Sequence, residues 1–212
     1  MEPNLTLVVF ASTLHESNSV SGSRELLYSH FKSRYSLKIV SAQEYEPIKG
    51  QEEFAIAFIA TGGTEQIFLS HWQKISRPLV ILSDSFHNSL AATLEISSWL
   101  NSRKIKHKHL NFPIDPIDAY MENLHSEISI LSNIHKAFKE ISDTKIGLIG
   151  DASPWLIASD VDKYSLTSRL GVKFVDISIS TLEEKFLNID TYNGKYSLSS
   201  NESIKLIEDY SK

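Results

Sequence analysis

Residues Phe54–Phe68 read FAIAFIATGGTEQIF, and this stretch decides the fold. Phe54 to Ala60 are consecutively apolar, a run too short for a membrane span and without helical spacing. A strand buried on both faces of a parallel sheet reads this way. The run stops at Thr61-Gly62-Gly63-Thr64-Glu65, and a helical pattern begins with Gln66, Ile67, Leu69 and Trp72. Thr64 is placed to cap that helix, although position 67 is Ile where a capping box needs Glu or Gln. Paired glycines let the backbone take positive φ and come close to a ligand. A strand, a glycine turn and a helix start together make a site for anions or hydroxyls at the carboxyl edge of a sheet. The same pair can equally be a plain tight turn between strand and helix.

Upstream, Leu5–Ala11 (LTLVVFA) is a first buried strand, followed by a serine-rich polar stretch, Ser12 to Ser23, that holds His15, Glu16 and Asn18. Open α/β sheets put ligand-contacting residues in such a place, although the composition also suits a flexible surface loop. Arg24–Arg34 reads as a helix with Leu26, Leu27, His30 and Phe31 inward, Leu37–Val40 as a short strand, and Glu44–Glu53 as a polar connector. Downstream, Ser76-Arg77-Pro78 closes the helix, and the strand Leu79–Leu82 ends in Ser83-Asp84-Ser85-Phe86-His87-Asn88-Ser89. Asp84 and His87 are near enough to cooperate, and a His–carboxylate pair suits acid–base work or hydroxyl recognition. Alternatively, Ser85 or Asn88 caps the helix Ser89–Arg103, whose Leu90, Leu94 and Leu100 recur at helical intervals. In Lys104–Phe112, His107 and His109 share a face and could bind a metal, but no third ligand is near in sequence. A solvated edge strand is the preferred reading there.

Asn111-Phe-Pro-Ile-Asp-Pro116 breaks the pattern, since two prolines forbid helix or central strand. A long helical pattern follows over Ile117–Ile141; at 1.5 Å per residue it would run about 37 Å, and His125 and His135 read as partly exposed positions on it. A domain boundary is expected near Ser142-Asp143-Thr144, between a first domain of residues 1–141 and a second of 145–212. The second opens with a strand at Lys145–Gly150, then Asp151-Ala152-Ser153-Pro154-Trp155, a helix Leu156–Arg169 stopped by Gly171, and a strand Val172–Ile177. Asp151 or Ser153 can cap that helix and Pro154 suits its first turn. Trp155 could stack the apolar face of a sugar or sit in a core. Thr181–Leu187 and Glu202–Tyr210 look helical, with Asp190–Ser200 a polar turn. Two strands make a poor independent sheet. The fold class is therefore α/β, a doubly wound parallel sheet of the Rossmann or flavodoxin kind, with a smaller second lobe left incomplete.

Composition narrows the function. With 212 residues, the chain is long enough for a proper core. A net charge of −5, with no basic stripe beyond Arg103–His109, argues against nucleic-acid binding. The absence of cysteine removes disulfides, thiolate metal sites and a cysteine nucleophile together. Neither a signal sequence nor a membrane-length apolar run is seen, so a soluble cytoplasmic protein is the expectation.

Lys145–Leu182, KIGLIGDASPWLIASDVDKYSLTSRLGVKFVDISISTL, resembles the stretch that opens the second domain in the L-fucose/L-arabinose isomerase-like superfamily. The likeness rests on a strand ending Gly147-x-x-Gly150, a small polar run with Pro154 and Trp155, then a helix and Leu170-Gly171-Val172 before another strand. The element order of the first domain, with Thr61-Gly62-Gly63-Thr64-Glu65 after the third strand, resembles that family too. The resemblance implies an oligomeric, manganese-dependent aldose–ketose isomerase scaffold that moves hydrogen through an enediol between two carboxylates. It also implies that the first domain of one subunit helps cover a neighbour's active site. On it, the substrate-contacting residues would be Ser12, His15, Glu16, Thr61, Gly62, Gly63, Thr64, Glu65, Asp84, His87, Asp151, Ser153 and Trp155.

The family's metal-binding acids and histidine lie beyond the matched region, and the chain ends at Lys212 with no internal substitute. The expectation is an N-terminal, non-catalytic portion that holds no cofactor itself, binds a small sugar, and would need further catalytic domains to isomerise it. The alternative, from another class, is a stand-alone sugar-binding module or sensor. A third reading, a flavodoxin-like enzyme with FMN, lacks the tight Thr/Ser-x-Thr-Gly pattern in Ser12–Ser23 and would show as a yellow preparation.

Overall fold

The structure, a computed structural model, describes residues 4–12, 19–48, 53–157 and 162–187. The chain forms two units, residues 1–138 and 139–212, each with its own sheet. In the first unit the order is β1 (Asn4–Phe10), α1 (Ser19–Lys32), β2 (Ser36–Ser41), β3 (Ala55–Ile59) and α2 (Glu65–His71), then β4 (Leu79–Ser83), α3 (Ser89–Ser102), β5 (His107–Asn111) and α4 (Asp118–Ser142). Helix α4 belongs to this unit as far as Phe138.

The five strands make one all-parallel sheet in the order β2-β1-β3-β4-β5. This is the doubly wound α/β class, in the flavodoxin-like order. The quoted stretch sits at its centre. Phe54 is nearly buried and Ala55 through Ala60 are completely so, because helices cover both faces of β3. Leu27 and Phe31 of α1, with Met121, Leu124 and Ile128 of α4, pack on the face that carries Leu7, Phe58 and Leu82. Phe68 of α2, with Ala92, Ile96 and Leu100 of α3, packs on the face that carries Val8, Ile59 and Ile81. Full burial of each such side chain is worth about 1.5–3 kcal/mol, so the apolar run holds the sheet together. Between β2 and β3 the described residues 42–48 carry no helix; Ala42 and Tyr45 cover that part of the sheet from a turn.

The serine-rich loop after β1 is shorter than its composition suggests, since α1 already begins at Ser19. Serine and glycine are weak helix formers, and burial of Leu27 and Phe31 carries the helix instead. Leu26 points outward. Helix α3 is turned from its expected phase: Ala92, Thr93, Ile96 and Leu100 face inward, whereas Leu90 and Leu94 are exposed. Small residues let the helix lie close on β3 and β4, which leaves the leucines outside. His125 and His135 are buried rather than partly exposed. The Tyr35 hydroxyl lies 3.0 Å from His125 Nδ1, and His135 Nδ1 lies 2.8 Å from the Arg77 carbonyl. Strand β5 is the sheet edge; His107 and His109 share one face and Lys108 and Leu110 the other, where Leu110 is buried and Lys108 is exposed.

In the second unit β6 (Lys145–Ile149) and β7 (Lys173–Ile177) pair in parallel, with α5 (Lys163–Leu170) between them and α6 (Ile179–Leu187) after. Helix α5 starts well after the expected Leu156. The Asp162 carboxylate accepts the Ser165 amide at 2.9 Å and fixes the start there, so Asp151, Ser153 and Pro154 do not cap α5. Pro154 and Trp155 form a turn closed by the Leu156 amide on the Ser153 carbonyl, and Ile157 is fully exposed. Gly171 ends α5 in the left-handed conformation, φ 77°, which glycine adopts without strain. The turn expected at Asp190–Ser200 and the helix at Glu202–Tyr210 lie outside the described residues. Among the described residues no helix is long and apolar enough to cross a membrane.

Candidate functional site

Strand order reverses between β1 and β3: the chain moves outward from β1 to β2, then resumes on the other side of β1 with β3. The loops leaving neighbouring strands there diverge to opposite faces, and ligands of open α/β sheets bind in the crevice this leaves at the carboxyl edge. The loops after β1, β3 and β4 meet at that edge and are tied together. The Ser12 amide donates to Thr61 Oγ1 at 2.8 Å, joining the first loop to the second. The Gly62 amide donates to the His87 carbonyl at 2.8 Å, joining the second to the third.

Two glycines permit this closeness for different reasons. A Cβ on Gly62 would lie 3.0 Å from Asn88 Cβ, so the approach of the two loops requires its bare backbone. Gly63 has φ +73°, is exposed, and would meet only Ser12 Oγ at 4.0 Å; its constraint is the backbone conformation. Thr64 stands at the start of α2 but makes no side-chain cap; its hydroxyl donates to the Thr61 carbonyl at 2.9 Å. Thr61 and Thr64 are wholly buried, so they frame the crevice from below.

The third loop carries more strain. His87 and Asn88 both hold positive φ, 49° and 60°, which costs a residue with a Cβ about 1–2 kcal/mol. Neither Ser85 nor Asn88 caps α3 with its side chain. Ser89 anchors the helix instead: its hydroxyl bonds the Ile59 carbonyl and accepts the Asp84 amide at 2.9 Å. Consecutive left-handed residues persist only where the surroundings impose them, and such strain gathers at ligand-binding sites.

Beneath the loop lies a charged cluster that includes residues from α1. Asp84 is 2 % exposed, and its Oδ1 accepts the Phe86 amide at 2.9 Å. Burial pushes the Asp84 carboxyl above its ordinary value, against the lowering effects of the Phe86 amide, Arg24, Ser89 and His87. Tyr28 is also pushed up by burial, with the charge and hydrogen bond of Arg24 opposing and Asp84 adding to the rise. The Arg24 guanidinium reaches the Ala60 carbonyl only at 3.5 Å, and its buried Nε has no hydrogen-bond partner among the described residues. A buried carboxylate beside a guanidinium whose Nε is unpaired among the described residues gives the crevice floor both acceptor and donor character. Arg24 and Tyr28 are four apart on α1, one helical turn, and that spacing is the signal in the sequence that could have suggested they act together.

Of the residues expected at a site, Ser12, Thr61, Gly62, Gly63, Thr64, Glu65, Asp84 and His87 come together at this edge. His15 and Glu16 lie outside the described residues. Asp151, Ser153 and Trp155 follow β6 in the second unit, where Trp155 is 76 % exposed. The His107–His109 pair is engaged otherwise: His109 Nε2 lies 2.8 Å from Ser83 Oγ, and His107 Nδ1 lies 3.1 Å from the Ile105 carbonyl. Among the described residues no three His, Asp or Glu side chains converge as a divalent metal needs, so the donor set for manganese is not found there. Compared with known proteins, the chain matches no family model and no curated sequence.

Proposed function

We propose that the first unit binds a small polyhydroxy compound, a sugar or sugar alcohol, at the switch point between β1 and β3. The observation that carries this is the tying of three strand-end loops at that point, with two strained residues, His87 and Asn88, in the third. The rim offers what adjacent hydroxyls need: the Ser12 hydroxyl, the Gly63 backbone, the Glu65 carboxylate and the His87 imidazole, above a buried carboxylate and guanidinium. With the resemblance to aldose–ketose isomerases, we infer that the chain is the non-catalytic, substrate-contacting portion of an isomerase-like protein. On that reading it works in the cytoplasm, in an oligomer, with the isomerising acids and manganese supplied by other domains. The stand-alone binding module is the second reading, favoured by the fact that the three tied loops all belong to the first unit.

The test is a thermal-shift and calorimetric screen against pentoses, 6-deoxyhexoses and their alditols, with and without Mn²⁺. A ligand at a hundred times its Kd stabilises by about 2.7 kcal/mol, enough for a shift of several degrees. Stabilisation by one sugar without metal, reduced in His87→Ala and Ser12→Ala and accompanied by no ketose formation, is the expected result. No response to any polyol from the folded protein would contradict sugar binding by this unit.

A further inference from the structure

The edge of the first sheet opposite the switch point holds a cavity of about 610 Å³, between the start of β4 and the chain entering β5. Its volume falls within the range of small-molecule sites, roughly 300–1,000 Å³. The walls are apolar, from Ile75, Leu79 and Ile105, with the rings of Trp72 and Phe138 beside them. Trp72 is held in place by an edge contact with Trp99, ring centroids 6.1 Å apart, and the Arg103 guanidinium lies 4.2 Å over the Trp99 ring. Arg77 and Lys106 also line the cavity, and among the described residues no Asp or Glu does. The four ion pairs of the described residues use neither of these cations. In a chain of net charge −5, two cations on an aromatic wall with no described acid form a local reversal of sign.

We propose that this cavity is a second ligand site, distinct from the switch point and selective for a flat aromatic anion such as an aryl carboxylate or sulfonate. The apolar wall takes the ring, Trp72 and Phe138 offer ring contacts, and Arg77 and Lys106 hold the anionic group at the mouth.

The probe is 1-anilinonaphthalene-8-sulfonate, titrated into the full chain by fluorescence and calorimetry. Saturable binding at one site is expected, weakened about tenfold in the Arg77→Ala/Lys106→Ala double variant, because two exposed ion pairs each contribute up to ~1 kcal/mol. Lys38→Ala removes an exposed cation elsewhere and should leave binding unchanged. The uncharged analogue N-phenyl-1-naphthylamine should bind about tenfold more weakly on the same reasoning, and inorganic sulfate should not displace the dye at matched ionic strength. Equal affinity in the double variant, equal affinity for the neutral analogue, displacement by sulfate, or no saturable binding would each overturn the proposal.

Discussion

Gly63 and Asp84 show how single residues set the crevice. Gly63→Ala places a Cβ at φ +73° with room around it, so the cost is backbone strain alone, about 1–2 kcal/mol by chemical denaturation. Asp84 works the other way. Burial raises its carboxyl above 3.8, so ionising it opposes folding at neutral pH, and that opposition fades as pH falls from the raised value towards 3.8. Asp84→Asn keeps an oxygen for the Phe86 amide and removes the charge. It should therefore be more stable than the parent at pH 7, by roughly 0.5–2 kcal/mol, with the gain shrinking towards pH 4 and sugar affinity lost. An unchanged pH profile would show that the carboxylate carries no such burden. The residues after β3 and β4 were legible in sequence because each follows an apolar run that has to end at a sheet edge. Arg24 and Tyr28 were not, because only the packing of α1 on the sheet brings them beside Asp84.

At the scale of elements, the histidines of α4 make the clearest case. Burial lowers His125 from 6.5, and Arg34 and His30 push the same way against Glu122. His109 on β5 is lowered by burial and by His107. Both are neutral when folded and charged when unfolded in mild acid, so stability present above pH 6.5 falls as pH drops below it. Denaturation midpoints measured between pH 7 and 5 should fall in the parent, and the slope should flatten in the His109→Gln/His125→Gln double variant. Tyr35, pushed up to about 12 by burial, keeps its phenol proton and can donate to His125 only when Nδ1 is bare. Tyr35→Phe leaves that nitrogen unpaired at a cost of about 1–3 kcal/mol, read from urea midpoints. In α3, Ile96→Ala should cost about 2–5 kcal/mol and Leu94→Ala under about 0.5 kcal/mol, because only the former is buried. Sequence periodicity located α3 but not its phase, since leucines on one stripe and Ala92, Thr93 and Ile96 on another are both spaced for a helix. The start of α5 was hidden by Pro154 and Ser153, plausible opening residues, whereas the actual cap is Asp162.

For the whole molecule, alternation of apolar runs with helical patterns was enough to indicate a doubly wound parallel sheet, and strand order then locates the crevice. What pattern could not show is which loop ends are tied together, because the Ser12–Thr61 and Gly62–His87 bonds join residues 49 and 25 positions apart. The central claim, a polyol site at the switch point, is tested most directly by amide chemical-shift mapping of the ¹⁵N-labelled chain during titration with a pentose and a 6-deoxyhexose. The expected result is saturable shifts concentrated at Ser12, Gly62, Gly63, Phe86 and His87. Shifts confined to other parts of the chain, or none at millimolar sugar, would contradict it.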